Sequence, residues 1–505
     1  MHAARSGLIA GLLAAVLLAA LCPFPAAGRG GVLVFALSGG PDTLDPQKTS
    51  ATLSFQIMKS LYDTLVEPDD HGILVPDLAQ SWTMSADGKQ WTFRLKPGVR
   101  FHNGKTLDAQ DVVATFTRVL DASTASPKRT DYGAIDGVEA VDPLTVRFTL
   151  KQAFAPFLAA LGQGWGAILP RDAIAAGNDF GGRPIGTGPF RTAEWVRDSY
   201  LRLVRFDGYF ARGEPALDGV TFRFVSEDAV KTAGLLTGEF DVVDAVDPLE
   251  IPRLQSNPGV VLAPRRNATI NVVAINNARK PYTDIRVRQA LWYAIDRATL
   301  LKTAYGSGST PVAEFMDVSS PFYVDLGDPY PYNPAKAKQL LSEAGLASGF
   351  STDLALPQPY QAHVKAGELL QAMLAQVGIQ AKIRVVEFGF WLSRIYGGPH
   401  DYDLTIIGHT GKLDPDGRLA GFGDPTTNYV QYNNPQVAAL IDAGRFTLRT
   451  DLRKRIYAEV LRHMTQDAMM VFLGQPQDYV ITRTGVRNVK EMYAIDTYDL
   501  RTATK

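Results

Sequence analysis

The clearest alternation of apolar and polar residues lies in residues 87–120, which we call the signature segment. Over Trp91–Leu95 apolar and polar residues alternate, which is the period of a half-buried strand. Two glycine-containing turns follow, and over 112–120 the apolar residues recur at helical spacing. Asp108 stands at the expected N-cap of that helix. The signature segment therefore predicts a strand, two turns and a capped helix, which is a scaffold without evident chemistry.

The remaining chain alternates predicted helices with predicted strands. The same periodicities predict helices at 54–65, 155–161, 229–237, 285–295, 334–344, 367–377 and 451–467. They predict strands at 31–37, 145–150, 191–206 (a pair), 217–226, 239–246, 269–276, 380–386, 402–408 and 468–473. Such alternation indicates an α/β protein.

Length and charge narrow the class of protein. A chain of 505 residues is too long for one hydrophobic core, so two or three domains are expected. The 51 Lys and Arg residues nearly balance the 52 Asp and Glu residues, so no overall charge excess indicates a nucleic-acid partner or a membrane surface.

Residues 1–28 have the pattern of a cleavable secretory signal peptide. Arg5 supplies the positive end, Leu8–Leu21 is apolar, and Ala26–Gly28 offers small residues for cleavage. The apolar run is shorter than the roughly 20 residues that span a bilayer, although an uncleaved N-terminal anchor is the alternative. Cys22 follows Leu21, where a lipoprotein signal has a small residue, which disfavours lipidation. Because Cys22 is the only cysteine, the mature chain has no disulfide and no thiol nucleophile.

The signature segment and a series of further motifs resemble one known family. The motifs are Leu44–Pro46, Leu61–Leu65, Pro76–Ala79 with Ser81-Trp82, Gly186–Phe190, Arg286–Leu291 with Ala294–Arg297, and Tyr332–Pro334. In this order they resemble the peptide/nickel (family 5) solute-binding proteins of bacterial ABC importers, over nearly the whole chain after the first ~30 residues.

The resemblance implies an α/β, two-lobed periplasmic-binding-protein-like fold (class II with an extra inserted domain), in which helices flank mixed sheets and a hinge joins the lobes. By analogy, lobe I would combine residues 29–66, 183–272 and 476–505. Domain II would be inserted as residues 67–182, and lobe III would be residues 273–475. The two crossings near 272 and 475 would form the hinge.

The function implied by the resemblance is non-enzymatic. A monomeric periplasmic receptor would capture a peptide or peptide-like solute in the interlobe cleft, without a cofactor, and deliver it to the membrane permease. Alternatives are a non-peptide anionic solute, a nickel complex, a sensor partner in place of a permease, and, most remotely, a secreted hydrolase.

Motifs for catalysis or nucleotide binding are missing from the sequence. It contains no G-x-S-x-G, H-E-x-x-H or C-x-x-C motif. Residues 98–106 superficially resemble a P-loop, but five residues separate Gly98 from Gly104 where the Walker pattern has four. None of the seven histidines is spaced three or four residues from another, so no local metal site is predicted.

Residues 408–423, which we call the charged loop, are the main candidate binding segment. The loop follows a predicted buried strand, and open α/β sheets bind ligands where strands end. Its candidate ligand-binding residues are His409, Thr410, Lys412, Asp414 and Arg418. The resemblance adds weight, because the corresponding region lines the ligand cleft in that family.

The charged loop departs from the family pattern at one position. Peptide binders of the family commonly place an aspartate here to hold a peptide's α-ammonium group. Alignment through Asp414-Pro415 puts Lys412 at that place, and a cation would repel an ammonium and attract a carboxylate or phosphate. An alignment shifted by two residues would give the role to Asp414. His409 would serve if the solute is a nickel complex.

Other candidate ligand-binding residues lie outside the charged loop. Gln163 and Trp165 lie in a glycine-rich segment, where a large ring in flexible backbone often lines a pocket; simple packing of the ring is the alternative. Ser38 lies in the loop after the first predicted strand, and Trp391 in the aromatic segment 388–396, which lines the cleft in relatives.

Overall fold

The computed structural model describes residues 30–265, 268–493 and 497–505; the predicted signal peptide and Cys22 lie outside them. Three main sheets, of seven, four and six strands, organise these residues. We use the names lobe I, inserted domain and lobe III for the units built on these sheets in that order. Within the described ranges, no helix has the length and apolar character that crossing a membrane requires.

Lobe I is built on the seven-stranded sheet. In spatial order its strands are Val260–Arg265, Asp478–Arg483, Val242–Val243, Val32–Leu37, Gly219–Phe224, Tyr200–Arg205 and Phe190–Val196. The strand Val32–Leu37 pairs in parallel with both neighbours, and the other pairs are antiparallel. Its helices are Thr52–Leu61, Asp228–Thr237 and Ile251–Gln255. Two small ribbons pair Val66–Pro68 with Leu74–Pro76 and Lys490–Glu491 with Tyr498–Asp499.

The inserted domain is built on the signature segment. Its antiparallel sheet has the order Ala79–Met84, Gln90–Leu95, Thr145–Leu150 and Ile135–Asp142. Its helices are Ala109–Leu120, Phe157–Leu161 and Arg171–Ala175. Asp108 caps the first of them as predicted. Its side chain accepts from the Gln110 N–H, and the Asp111 side chain accepts from the backbone N–H of Asp108.

Lobe III is built on the six-stranded mixed sheet. Its strands, in spatial order, are Thr310–Pro311, Met470–Gln475, Ile270–Ile275, Leu404–His409, Phe350–Pro357 and Ile379–Val386. Its helices are Ile285–Ala294, Arg297–Tyr305, Pro334–Glu343, Gln361–Ala375, Phe388–Phe390, Asp416–Leu419, Pro435–Phe446 and Thr450–Gln466. Trp391–Tyr396 continues one of these as a π-helical turn.

The predicted α/β class, with mixed sheets flanked by helices, is confirmed. Several boundaries differ from the prediction, and two helices show this most clearly. The first helix spans Thr52–Leu61 and not 54–65, because Tyr62 is already extended (φ −139°, ψ 153°). The helix predicted at 367–377 spans Gln361–Ala375, since its first turns bury only weakly apolar residues such as His363 and Ala366.

The apolar cores divide the molecule into two bodies. One cluster of buried side chains contains both Phe35 of lobe I and Phe148 of the inserted domain, whereas lobe III has a cluster of its own. The chain crosses between the seven-stranded and six-stranded sheets twice, between residues 265 and 270 and between 475 and 478. Lobe I and the inserted domain therefore share a core, and lobe III packs separately.

His102 ties the signature segment to the glycine-rich loop at 186–190. Its Nδ1 accepts from the Gly186 N–H at 3.3 Å and its Nε2 lies 3.0 Å from the Gly188 carbonyl oxygen, so the neutral ring donates from Nε2. A Cβ on Gly188 would lie 2.4 Å from the Leu61 carbonyl carbon, so this close approach requires glycine. Burial lowers the pKa of His102 to about 4.

This depressed pKa predicts a loss of stability in mild acid. Between pH 6.5 and 4 the unfolded chain binds a proton at His102 that the folded chain does not, so the free energy of unfolding falls as the pH falls. We expect the stability difference between the wild type and His102→Gln to shrink by about 2 kcal/mol from pH 7 to pH 5. Urea unfolding at each pH measures it. The interval from pH 7 to 8 is the control, and a difference that stays constant down to pH 5 would contradict the assignment.

Candidate functional site

A cavity lies where lobe I, the inserted domain and lobe III meet. Counting the open solvent at its mouth, it has a volume of about 300 Å³. Its lining is Ser50, Thr52 and Phe55 from lobe I, Gln163, Gly164 and Trp165 from the inserted domain, and Thr410 and Lys412 from lobe III. The structure thus brings together four of the candidates predicted from sequence: Gln163, Trp165, Thr410 and Lys412.

Trp165 of the inserted domain contacts both Phe55 of lobe I and Lys412 of lobe III. It lies in the short 3-10 turn Gly164–Gly166, where a Cβ on Gly164 would lie 2.7 Å from Phe55 Cδ1. The glycine is therefore needed for the turn to approach the helix Thr52–Leu61. The rings of Phe55 and Trp165 meet edge to face with centroids 5.4 Å apart, and Trp165 is only 4% exposed.

Two ammonium groups lie over the Trp165 ring. Lys128 Nζ of the inserted domain is 4.3 Å from the ring centroid, and Lys412 Nζ of lobe III is 5.0 Å from it. Lys412 therefore makes a contact from one body to the other. Burial raises the pKa of Asp131, although both lysines act to lower it. The corner therefore holds two cations and the carboxylate of Asp131.

His409 belongs to an aromatic wall behind the cavity. Its Nε2 lies 2.6 Å from the hydroxyl of Tyr429, and its ring meets Phe315 edge to face at 4.8 Å. Burial, assisted by Arg418 and Lys412, lowers the pKa of His409 to about 3, so the ring is neutral at pH 7. Among the described residues, no group of three or more His, Cys, Asp or Glu side chains could hold a metal ion. Because His409 Nε2 is hydrogen-bonded to Tyr429, the structure gives the nickel-complex alternative no support.

The charged side chains in the second half of the charged loop point toward the interior of lobe III. Asp414 accepts from both terminal nitrogens of Arg453, at 2.8 and 2.9 Å. Asp416 accepts from Arg445 Nε at 2.9 Å, and burial raises the pKa of Asp416 to about 6 despite that arginine. Arg418 is 8% exposed and donates to backbone carbonyl groups. An ammonium of a solute would have to displace Arg453 to use Asp414.

Neither Trp391 nor Ser38 is among the residues that line the cavity. Trp391 is 2% exposed, donates from Nε1 to Thr405 Oγ1 at 3.0 Å and stacks on Tyr396 at 5.5 Å. Ser38 Oγ accepts from Lys231 Nζ at 2.7 Å. Trp391 therefore contacts Thr405 and Tyr396, and Ser38 contacts Lys231.

A second cavity adjoins the first and shares Phe55 and Gly164 with it. Counting the open solvent at its mouth, it has a volume of about 390 Å³. Its lining includes Met58, Ala167 and Met492 as well as the ion pair of Lys59 with Glu67. The two cavities together offer a polar corner beside a largely apolar chamber.

The sequence interpretation missed the lobe I contribution to this site. The helix Thr52–Leu61 was interpreted as core packing, yet Ser50, Thr52 and Phe55 at its start line the cavity. The sequence contained one indication that this helix start is unusual: its N-cap residue, Ala51, has no side-chain atom that can accept a hydrogen bond from the helix. Lys128 carried no signal, because its position over Trp165 depends on tertiary structure.

Contacts between the two bodies outside the cavity include polar ones. The Ala155 N–H donates to the Arg445 carbonyl at 3.0 Å, and Lys365 Nζ lies 3.4 Å from Asp247. Contacts of this kind can exchange with water, so they allow separation of the bodies.

Comparison with known proteins places this geometry in context. The model for bacterial extracellular solute-binding proteins, family 5, matches residues 74–429. The glutathione-binding protein GsiB of Salmonella paratyphi A is 31% identical over 459 residues, covering 89% of each chain. The dipeptide-binding protein of Escherichia coli K12 is 32% identical over 476 residues, covering 87% of this chain and 88% of its own.

A solved structure agrees over almost the entire chain. The periplasmic binding protein DppA of Helicobacter pylori, in complex with the peptide STSA, superposes with a TM-score of 0.88 at 27% identity. The match covers 94% of this chain and 99% of DppA. The chain therefore belongs to the family 5 bacterial extracellular solute-binding proteins.

Proposed function

We propose that this chain is the solute receptor of an ABC importer. It captures a peptide or peptide-like solute between lobe III and the body formed by lobe I and the inserted domain. It then presents the closed form to a permease in the membrane. Capture is non-covalent, and the solute leaves unchanged.

The observation that carries the proposal is the cavity shared by two separately packed bodies. Its walls come from both bodies, so a solute held there makes contacts that exist only when the bodies are together. A ligand that binds the closed form better shifts the population toward it. The two crossings between the sheets supply the hinge.

The peptide class is supported by the relatives and by the shape of the site. The names of the E. coli and Salmonella relatives specify a dipeptide and glutathione, and DppA was solved with a peptide. A polar corner beside an apolar chamber suits a short peptide, whose charged end and side chains differ in polarity. In this proposal Gln163, Trp165, Thr410 and Lys412 contact the solute. Arg418 holds Thr410 in place, and His409 and Asp414 anchor the charged loop to lobe III, whereas Trp391 and Ser38 contact other neighbours.

We also propose the cellular setting and the domain limits. Residues 1–28 direct the chain to the periplasm, where it acts as a monomer. The limits proposed from sequence accommodate the observed strands of all three sheets except at residue 272. The strand Ile270–Ile275 crosses that limit and pairs within the six-stranded sheet, so we move the start of lobe III to about residue 270.

Mass spectrometry of the protein as purified tests the proposed function. We expect an intact short peptide to be released on denaturation, and the same peptide to rebind to the stripped protein with a Kd of about 1 μM, or about −8 kcal/mol. Calorimetry measures the rebinding. A released sugar or metal complex that rebinds, or hydrolysis of the peptide during the titration, would contradict the proposal.

A further inference from the structure

The inserted domain meets lobe III at a further place, outside the two cavities. On the lobe III side lie residues 445–448, which join the helices Pro435–Phe446 and Thr450–Gln466 and which we call the junction. On the other side lie the turn at Gly88 and the segment 153–155 of the inserted domain. None of these described residues lines either cavity. This contact is therefore separate from the candidate solute site.

Apolar side chains of the junction pack on the inserted domain. The rings of Phe446 and Phe154 have their centroids 6.3 Å apart. Leu448 lies over the turn at Gly88, where an added Cβ would be 2.7 Å from Leu448 Cδ1 and 3.3 Å from Ala153 Cβ. Gly88 is buried although its neighbours on both sides are exposed, which agrees with a lobe III side chain covering this turn. The two bodies thus share an apolar contact at this place.

The junction is held firmly by lobe III, so it moves with that body. Arg445 Nε donates to Asp416 at 2.9 Å, and Arg453 Nε donates to the Gly444 carbonyl at 2.9 Å. The Ala155 N–H of the inserted domain donates to the Arg445 carbonyl at 3.0 Å. Because each side is anchored in its own body, the contact exists only when the bodies are together.

This contact favours the closed arrangement whatever solute the cavity holds. Phe446 is 37% exposed and Leu448 is 39% exposed, so more than half of each residue is covered, in part by the inserted domain. Separation of the bodies would return that part to water, which is unfavourable in proportion to the apolar area.

We propose that the inserted domain acts as a latch for lobe III, formed by Phe446 and Leu448 on one side and Phe154 and Gly88 on the other. The latch stabilises the closed form without touching the solute. It therefore raises the affinity for every solute by the same factor and slows solute release. The inference rests on one part of the proposed function, the closure of the two bodies. The cavity determines which solute binds, and the latch determines how readily the bodies stay closed.

Two substitutions in the full-length, ligand-stripped protein disrupt the latch from opposite sides. Leu448→Ala removes the side chain that covers the turn. Gly88→Asn places a side chain where Leu448 lies, and asparagine tolerates the positive φ of this position, +70°. With Met-Leu, Ala-Ala-Ala and glutathione as calorimetric probes, we expect about fivefold weaker binding for Leu448→Ala and at least about tenfold for Gly88→Asn. The factor should be the same for each probe that binds, and faster dissociation should account for it.

A double variant and two controls identify the contact itself. When Gly88→Asn is combined with Leu448→Ala, the new side chain enters vacated space, so binding should recover to the level of Leu448→Ala alone. Gly98→Asn is the control for the turn, because Gly98 also has a positive φ, +77°, but an added Cβ would meet nothing within 4 Å. Val385→Ala, on the lobe III edge strand Ile379–Val386, is the control for loss of an exposed apolar side chain. Both controls should bind like the wild type.

The possible outcomes separate this inference from the proposed function. Wild-type affinity in Leu448→Ala, an effect confined to one probe, or no recovery in the double variant would overturn the latch and leave the receptor function standing. Leu448→Ala adds no backbone strain, so it decides the question if Gly88→Asn does not fold. If the wild type binds none of the peptides, the proposed function fails, and the latch, which requires closure around a solute, fails with it.

Discussion

Replacing Arg418 with methionine is expected to lower the free energy of unfolding by about 3–5 kcal/mol and to weaken peptide binding at least about tenfold. The guanidinium donates to the carbonyl groups of Phe315 and Ala268 at 2.6 Å and of Thr410 at 2.8 Å. Methionine keeps the apolar stem but leaves these buried acceptors without their donor. Urea unfolding and calorimetric titration measure the two effects.

The effect on binding follows from where those carbonyls lie. Thr410 lines the cavity, and Ala268 lies on the crossing from lobe I to lobe III. Arg418 therefore fixes the charged loop relative to the hinge. Arg462→Met is the matched control, because Arg462 is exposed on the lobe III helix Thr450–Gln466 and pairs only with Glu459 among the described residues. Loss of binding in both variants, or in neither, would contradict this role for Arg418.

Replacing Lys59 with methionine should produce a stability loss of similar size, about 3–5 kcal/mol at pH 7. The ammonium is 7% exposed and lies 3.1 Å from Asp63, 2.6 Å from Glu67 and 2.8 Å from Asp77. Burial alone lowers the pKa of Lys59, but the carboxylates, Asp77 foremost, raise it well above its usual value. Methionine would leave three buried carboxylates with Arg501, 3.1 Å from Glu67, as their remaining cation among the described residues.

The pH dependence of this loss provides a second readout. Burial already raises the pKa of Asp77 in the wild type, and without Lys59 the neutral acid is favoured further. A carboxyl group with a raised folded-state pKa destabilises less as the pH falls, so the deficit of the variant should shrink between pH 7 and pH 5. Lys48→Met, an exposed change in the same part of lobe I, is the control. A deficit that is unchanged at pH 5 would argue against the carboxylate cluster as its cause.

Local patterns predicted many elements of the fold, because their causes are local, but they missed the helices Arg297–Tyr305 and Pro435–Phe446 and the strand Phe350–Pro357. The capped helix after Asp108 and the helix that starts at Pro334 follow from side-chain capping and backbone restriction within one turn. The shared core of lobe I and the inserted domain could not be predicted in this way. It depends on contacts between residues such as Phe35 and Phe148, which are far apart in the chain.

The candidate site was predicted in part, and its limits have a physical cause. Thr410 and Lys412 line the cavity, whereas Asp414 and Arg418 in the same loop turn inward. The loop sequence does not reveal this division, because Arg453, which holds Asp414, lies 39 residues further along the chain. Residue type identifies a charged loop, and long-range pairing decides which charges face the solute.

The central claim is that two bodies close on a peptide without changing it. Small-angle scattering of the ligand-stripped full-length protein, with and without a saturating peptide identified by mass spectrometry, tests it most directly. The account predicts a smaller radius of gyration with the peptide and recovery of the peptide intact. An unchanged radius at full occupancy would contradict closure and, with it, the account.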